Sequence, residues 1–338
     1  MSNRKVCISG YASVVQDSAD QTIIDKGNRK LMRFARKSGQ IFLKSILNAI
    51  EMSGIEIKEI DSKRIALFFS DFMNLITDVE KIIAVLKELT DNECEYDKES
   101  FVKNISDSWS VIEVLKNVPN IPAFIACQEI GVKGVSSTEL SSCAGGLYSL
   151  IDGCELIMAG KADVVFVGAS SDKINYIEIP ILNSIGFFNE GDYFILNGAA
   201  VLILESEEHV KKRNGNILAY LGKYQTSFSP LTYLNRKFDS ESIKYILDSF
   251  MSTEKDITDY VIGTFSRILL PQEIDLLSQY KLNIKEADSF KSKYGYTFAA
   301  SGLMEIIHLF NRNFSANTIV NSFGLGGQNA SLIIKSCT

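Results

Sequence analysis

One cysteine of this chain stands where a strand-like run meets a helical one, in ELSSCAGGLYSLID at residues 139–152. The apolar run behind Cys143 predicts a helix over 144–159. A helix N-terminus carries partial positive charge and unpaired N–H groups, and both favour a thiolate over a thiol. The alanine and two glycines that follow the cysteine leave open space above the sulfur. The pattern fits a cysteine nucleophile, and it fits a small buried residue in a tight strand–helix junction equally well.

A nucleophilic cysteine needs a base, which is usually a histidine, and the chain has two histidines. The charged run EEHVKKR predicts that His209 faces solvent, and LMEIIHLFNR predicts that His308 packs along a helix. Neither histidine stands beside a turn or glycine loop that would present a catalytic base. The six cysteines lack CxxC spacing, so we expect free thiols, no metal site and no disulfide framework. We expect no cofactor.

Short β-branched runs alternate with longer helical patterns, which indicates an α/β fold. Strand candidates are 5–14, 64–71, 162–170, 200–206, 217–226, 259–266 and 331–336. Helix candidates are 30–53, 76–89, 109–117, 144–159, 239–252, 271–279 and 301–312. The apolar stripe of 30–53 is interpreted as core, and the acidic stretch 90–107 as a surface excursion.

Charge and hydropathy limit the partners. A net charge of −6 argues against nucleic acid or an anionic membrane as the main partner. The chain has no apolar run of the roughly 18 residues that a membrane span needs, and its first residues lack a signal-peptide layout. We therefore expect a soluble, cytoplasmic protein. A strand, turn and helical stripe open both the chain and the part after residue 206, which predicts two similar halves at 1–206 and 207–338, the second one shortened.

Several motifs, taken in order, are similar to the β-ketoacyl-acyl-carrier-protein synthase family. The opening KVCISGYASVV, the helix MRFARKSGQIFLKSILNAIEMSGI, the approach GVSSTELSSCAGG, the hairpin GDYFILNGAAVLILE and the closing NSFGLGGQNASLII resemble the family from end to end. The resemblance implies a thiolase-like five-layer αβαβα fold. It places Cys143 at the acyl-accepting cysteine and Glu273 at a structural glutamate. It also implies an acyl-pocket loop, with backbone N–H groups of Cys143 and Leu325 as oxyanion donors; the loop comprises Phe323, Gly324, Leu325 and Gly326.

The chain departs from the family at both catalytic histidines. DYVIGTFS carries Ile262 where the family has the first histidine, and KSKYGYTFAASG carries Tyr296 where it has the second. Lys291, which precedes the second motif in the family, is kept. Isoleucine can neither donate a hydrogen bond nor carry charge, and a phenol with a pKa near 10 is a weak proton carrier at neutral pH. Losing one oxyanion donor typically costs roughly 10²–10³ in rate, so decarboxylative condensation is disfavoured.

Three hypotheses remain open from the sequence. The resemblance favours a non-condensing, chain-length-factor-like subunit that pairs with an active ketosynthase and serves an acyl-carrier protein. The alternative is a Cys143-dependent acyltransferase that takes an acyl group from an acyl-carrier thioester, with Tyr296 or Lys291 as a poor substitute base. The third is a homodimeric scaffold in which Cys143 is a relic. All three imply a dimer, because the family pairs subunits through a strand and helix beside the cysteine segment.

Overall fold

The computed structural model describes most of the chain. It covers residues 4–16, 29–72, 111–172, 178–184, 193–229, 238–284, 288–312 and 314–337, with a few separate positions between 83 and 106. The predicted helix 76–89 and the polar stretch 90–107 lie outside the described residues, apart from those separate positions.

Ten strands form one sheet, with the order β3-β2-β4-β5-β1-β6-β10-β9-β7-β8. The strands are β1 Val6–Gln16, β2 Ile65–Asp71, β3 Ser136–Glu139, β4 Val164–Ser171, β5 Asn197–Ser206, β6 Ala219–Phe228, β7 Ile257–Val261, β8 Asn283–Ile284, β9 Asn317–Phe323 and β10 Gln328–Ser336. The helices are α1 Arg29–Met32, α2 Lys37–Ser53, α3 Val111–Lys116, α4 Ile121–Ile130, α5 Gly145–Met158, α6 Glu178–Ser184, α7 Glu207–Lys212, α8 Ser240–Thr253, α9 Leu270–Leu277, α10 Phe290–Lys293 and α11 Ser301–Phe310.

The two ends of the sheet have the same strand order. Reading inward from one edge gives β3-β2-β4-β5-β1, and reading inward from the other gives β8-β7-β9-β10-β6. The two inner strands, β1 and β6, meet antiparallel through the pairs Cys7–Tyr220 and Ile8–Ala219. In each half the first two strands from the edge are parallel, and so are the second and third. The chain therefore consists of two similar α/β halves.

Three hydrophobic clusters show how helices and sheet are layered. The central cluster joins α5 and α11 to both halves of the sheet, with Leu150 and Leu303 as fully buried members. A second cluster packs α2 and α4 on the other face of the first half, and a third packs α8 and α9 on the other face of the second half. The order of layers is helices, the first half of the sheet, helices, the second half of the sheet, helices. This is the five-layer α/β arrangement that the sequence predicts.

The predicted helix 30–53 is divided into α1 and α2. Arg36 lies between them with an extended backbone, at φ −63° and ψ 170°. Its guanidinium is buried against Asp71 at the end of β2, with Nη2 2.7 Å from Oδ2. This ion pair holds Arg36 outside the helix. Its partner lies 35 residues along the chain, so no local pattern in the sequence predicts the break. The assignment of the apolar stripe to the core is confirmed, since Ile41, Phe42 and Ile46 are fully buried.

The predicted strand 259–266 is too long, since β7 ends at Val261. The chain turns there because the buried carboxylate of Glu273 accepts the N–H groups of Gly263 and Thr264, at 2.8 and 3.0 Å. Strand β9 and helix α4 are absent from the predicted elements. Both are short, and α4 is apolar on most sides, so neither shows a clear periodicity. Within the described part of the chain, no helix is long and apolar enough to cross a membrane.

Candidate active site

Cys143 lies in the 3-10 turn Ser142–Ala144, directly before α5. Ser142 has a φ of 53°, a left-handed conformation that is costly for a residue other than glycine. The two glycines that open α5 do not leave open space, as the sequence suggests. A side chain at Gly145 would collide with the Ser70 hydroxyl, and one at Gly146 would collide with the backbone oxygen of Ala299. The glycines allow the start of α5 to pack closely against the sheet and against the turn before α11.

The thiol of Cys143 is completely buried, with 0% of its residue surface exposed. Burial raises its pKa above the usual value. Hydrogen bonds from the hydroxyls of Tyr296 and Ser142 and from the backbone N–H groups of Leu325 and Cys143 lower it, but they do not reverse the effect. The loss of water on burial therefore outweighs the effect of the helix N-terminus on the pKa of this thiol.

Apolar and aromatic residues surround the cysteine. Ile262 and Tyr296, the residues at the two histidine positions, are 1% and 3% exposed and share one hydrophobic cluster with Cys143. Phe298 and Phe323 belong to the same cluster and are fully buried. The structure thus brings Cys143, Ile262, Tyr296 and Phe323 into one hydrophobic cluster, with Leu325 packed against it. It surrounds the thiol with hydrocarbon and one phenol, where the family has imidazoles.

A buried ionic network holds the loop that carries Ile262. The ammonium group of Lys291, at 4% exposure, donates to the backbone oxygens of Ile262 and Thr264, the latter at 3.0 Å. Glu273 accepts from the same loop and from the hydroxyl of Tyr260 at 2.9 Å. Burial raises the pKa of Glu273, while the nearby Lys291 charge lowers it. Lys291 and Glu273 therefore position the loop, and Lys291 is bound to carbonyl oxygens where a base would have to be available.

The glycine loop between β9 and β10 covers the cysteine from another side. Gly324 donates to the backbone oxygen of Gln328 at 2.6 Å and packs against the backbone of Ser141. The following residues, Leu325 and Gly326, are half-buried and exposed, respectively. Ser322, at the end of β9, donates its hydroxyl to the backbone oxygen of Cys143 at 2.7 Å. Ser322 was not singled out from the sequence, because a serine in a strand gives no sign of such a bond.

Both histidines have partners elsewhere. The expectation that His209 faces solvent is wrong, since its Nδ1 lies 2.5 Å from the buried carboxylate of Glu205. Arg213 also binds Glu205 through two hydrogen bonds of 2.7 and 2.9 Å, so part of the basic run folds back onto the protein. The prediction that His308 packs along a helix is confirmed. It is buried on α11, with Nε2 2.8 Å from the backbone oxygen of Asp288.

The arrangement can still hold an oxyanion but lacks groups that would form or use one. The N–H groups of Cys143 and Leu325 converge on the sulfur, as donors to an acyl oxygen would. Among the described residues around the thiol, the only side-chain proton donors identified are the hydroxyls of Tyr296 and Ser142. The site therefore combines two backbone N–H groups beside the sulfur with a fully buried thiol whose pKa is raised.

Comparison with known proteins agrees with this fold. Residues 10–193, more than half of the chain, match the family described as β-ketoacyl synthase, N-terminal domain. The chain belongs to the β-ketoacyl synthase family, and it is a ketosynthase-like protein of fatty-acid or polyketide biosynthesis. It is 25% identical over 294 residues to the 3-oxoacyl-[acyl-carrier-protein] synthase 1 of Buchnera aphidicola, covering 72% of each chain.

Solved structures show the same fold across the whole chain. One is a type II polyketide synthase acyl-carrier protein in complex with its ketosynthase bound to the hexaketide. It superposes with a TM-score of 0.77 at 16% identity, over 98% of this chain and 99% of that one. The ishigamide ketosynthase/chain length factor superposes with a TM-score of 0.77 at 15% identity, over 99% and 100% of the two chains. These neighbours establish a thiolase-like ketosynthase fold.

Proposed function

We propose that this protein is a non-condensing, chain-length-factor-like subunit that pairs with an active β-ketoacyl synthase. One observation carries the proposal. The two positions that resemble the catalytic histidines hold Ile262 and Tyr296, and both side chains are buried around a fully enclosed Cys143.

The chemistry of condensation explains why these residues matter. Decarboxylation of a malonyl unit leaves an enolate, whose oxygen must be stabilised by donors placed in advance. Ile262 supplies no donor, and Tyr296 supplies one hydroxyl that hydrogen bonds to the Cys143 thiol. Since each lost donor costs roughly 10²–10³ in rate, removal of both imidazoles should abolish useful condensation.

The state of the thiol points in the same direction. Thiolate is the attacking species in acyl loading, and an unperturbed thiol is already only a few per cent ionised at pH 7. Because burial raises the pKa of Cys143, an even smaller share of this thiol is ionised at neutral pH. Acyl groups would therefore load onto this cysteine slowly.

We propose that a partner subunit pairs at the β3 edge of the sheet, one of its two edges among the described residues. Strand β3 leads into the cysteine segment, as the family's pairing strand does. A groove of about 640 Å³ runs beside it between β3 and α4. The side chains of Phe124 and Leu140 line the groove and are 47% and 48% exposed, and Val135, directly before β3, is 44% exposed. An exposed edge strand bordered by large apolar residues is typical of a protein–protein interface.

Two of the structurally similar proteins support the classes of partner proposed for this chain. One structural neighbour is a ketosynthase/chain length factor, and another is a ketosynthase in complex with its acyl-carrier protein. For this chain we propose a ketosynthase subunit as the direct partner. We propose an acyl-carrier protein as the carrier that the pair serves.

Reconstitution tests the proposal. The chain would be co-expressed with an active ketosynthase from the same organism, and the complex would be assayed for malonyl decarboxylation and chain extension. We expect a stable heterodimer whose activity survives Cys143→Ala in this chain and disappears when the partner's own cysteine is replaced. A chain that never associates with the ketosynthase would contradict the proposal.

A second candidate is an acyltransferase that uses Cys143. The observation that favours it is the pair of backbone N–H donors from Cys143 and Leu325 at the sulfur, which would serve a tetrahedral intermediate without any histidine. Transfer of an acyl group from an acyl-carrier thioester by the isolated chain, lost in Cys143→Ala, would establish this activity. Normal turnover in Cys143→Ala would exclude it.

A further inference from the structure

We infer that Phe72 and Phe298 form an aromatic plug in the space that an acyl chain on Cys143 would need. The two rings are stacked, with centroids 4.1 Å apart and an interplanar angle of 25°. Phe298 belongs to the hydrophobic cluster of Cys143, and Phe72 packs against the same cluster. The plug excludes a long acyl chain from this subunit's own cysteine.

The position of the plug follows from the elements that carry it. Phe72 is the residue directly after β2, and Phe298 opens the 3-10 turn Phe298–Ala300 before α11. That turn packs against β2 and against the turn that holds Cys143. Phe298 also meets the ring of Tyr296 edge-on, with centroids 5.4 Å apart. The rings therefore close the space between the two halves beside the thiol.

Strain at Phe298 shows that the ring is held there by its surroundings. Its φ of 42° is left-handed, which is a rare conformation for a bulky side chain. Strained residues of this kind persist only where surrounding structure fixes them, and they concentrate at ligand sites and switches. The stack with Phe72 and full burial supply that fixation.

Buried polar groups anchor both halves of the plug. The backbone N–H of Phe72 hydrogen bonds to the carboxylate of Asp71, which is itself paired with Arg36 at 2.7 Å. On the other side, the Ser171 hydroxyl donates to the backbone oxygen of Thr297, at 2.9 Å. The two anchors come from the ends of neighbouring strands β2 and β4, so they set the rings at a fixed separation.

This inference rests on the proposed function, because a subunit that leaves the growing chain to its partner has no use for an acyl chamber of its own. Experiments can contradict the plug without contradicting the proposed function, and the reverse. Association with a ketosynthase does not require the plug, and the access of a probe to Cys143 is measured on the isolated chain.

Thiol labelling tests the plug directly. The protein would carry Cys127→Ser and Cys337→Ser and would be treated with N-ethylmaleimide or N-dodecylmaleimide. Mass mapping would follow adducts at Cys143, with Cys143→Ala as the blank. Phe72→Ala opens the space from one side. Phe298→Gly opens it from the other and relieves the left-handed strain. Phe194→Ala, which removes a ring that is 69% exposed, is the matched control.

We expect both plug variants to speed dodecylmaleimide labelling of Cys143 by about tenfold or more, because access no longer depends on rare opening of the site. The control should label at the starting rate. Folding of each variant would be checked by thermal melting, and either plug variant alone suffices if the other does not fold. Labelling of a folded plug variant at the starting rate would overturn the inference.

Discussion

At the scale of single residues, the reactivity of Cys143 is set by what surrounds it. The helix start favours ionisation, but complete burial opposes it, and the pKa of the thiol is raised. In an active ketosynthase-like site, two imidazoles would lie in this region. By the family resemblance, the corresponding positions hold Ile262 and Tyr296, and we propose that the position of a nucleophile is kept while its means of activation are lost.

The pH dependence of alkylation reports this directly. A thiol whose pKa is raised in the folded protein is mostly protonated up to and beyond its ordinary pKa. We expect the rate of Cys143 alkylation by iodoacetamide to keep rising through pH 9 in the folded protein. In the urea-unfolded chain it should level off near the ordinary cysteine pKa. A plateau below pH 8 in the folded protein would show that the thiol is activated.

Tyr296 is predicted to stabilise the thiol's surroundings without acting as a base. Tyr296→Phe removes the hydroxyl that lowers the pKa of the Cys143 thiol and leaves the ring in place. We expect the free energy of unfolding to fall by at most about 1 kcal/mol, the usual net value of one hydrogen bond. Alkylation at a given pH should slow, because that bond lowers the pKa of the thiol. Urea denaturation measures the first effect and mass spectrometry the second, and faster alkylation would contradict the assignment.

At the level of helices and strands, buried ionic contacts fix where some elements begin and end. The hydrophobic periodicity of the sequence does not determine those positions. Arg36 divides a helical stripe because it pairs with Asp71, and Glu273 ends β7 early because it binds the next two residues' backbone. The sequence predicts most strands and helices, since their apolar periods are clear. It misses these interruptions, because their partners are far apart along the chain.

Two neighbouring lysines give a matched test of one network. Lys291 is buried between backbone oxygens and the carboxylate of Glu273, whereas Lys293 lies at the surface paired with Asp288. Lys291→Met leaves a buried carboxylate without its counter-charge. We expect it to lower the free energy of unfolding by about 3–5 kcal/mol. Lys293→Met should have little effect. Equal effects in urea denaturation would contradict the role given to Lys291.

The Arg36–Asp71 pair predicts a pH effect on stability. Burial raises the pKa of Asp71 to about 7, although Arg36 opposes the rise. The folded state then holds a proton that the unfolded state has released, between roughly pH 4 and pH 7. Stability from this group is full below pH 4 and is lost as the pH rises through 7. Asp71→Asn removes the titration, so its stability relative to the wild type should increase from pH 5 to pH 8. A difference in the free energy of unfolding between Asp71→Asn and the wild type that is the same at pH 5 and pH 8, measured by urea denaturation, would contradict this.

At the scale of the whole molecule, the protein consists of two similar halves that meet around Cys143. The cysteine belongs to the first half, while Ile262, Tyr296 and the glycine loop belong to the second. The motifs allowed the fold to be predicted, and the assignment of this site remains a prediction. Enclosure of the thiol and the Phe72–Phe298 stack could not be predicted, because they depend on how the halves pack. The boundary at residue 206 remains a prediction.

The free edge of the sheet predicts the surface used for association. Phe124→Glu combined with Leu140→Glu places two charges in the groove beside β3. Since charge at the centre of an apolar interface is strongly unfavourable, we expect the heterodimer to dissociate in light-scattering chromatography. Tyr245→Glu on α8, also at an exposed aromatic, is the control and should leave the heterodimer intact. Unchanged assembly of the double variant would exclude this edge.

We propose that this chain assists a condensing partner and carries no acyl chain itself. Intact-mass spectrometry tests it most directly, on the complex and on the isolated chain, after incubation with acyl-carrier thioesters of several lengths. We expect an acyl adduct on the partner's cysteine and none on this chain, whether or not Cys143 is replaced by alanine. A Cys143-dependent adduct on the isolated chain, formed as fast as the partner's, would contradict it.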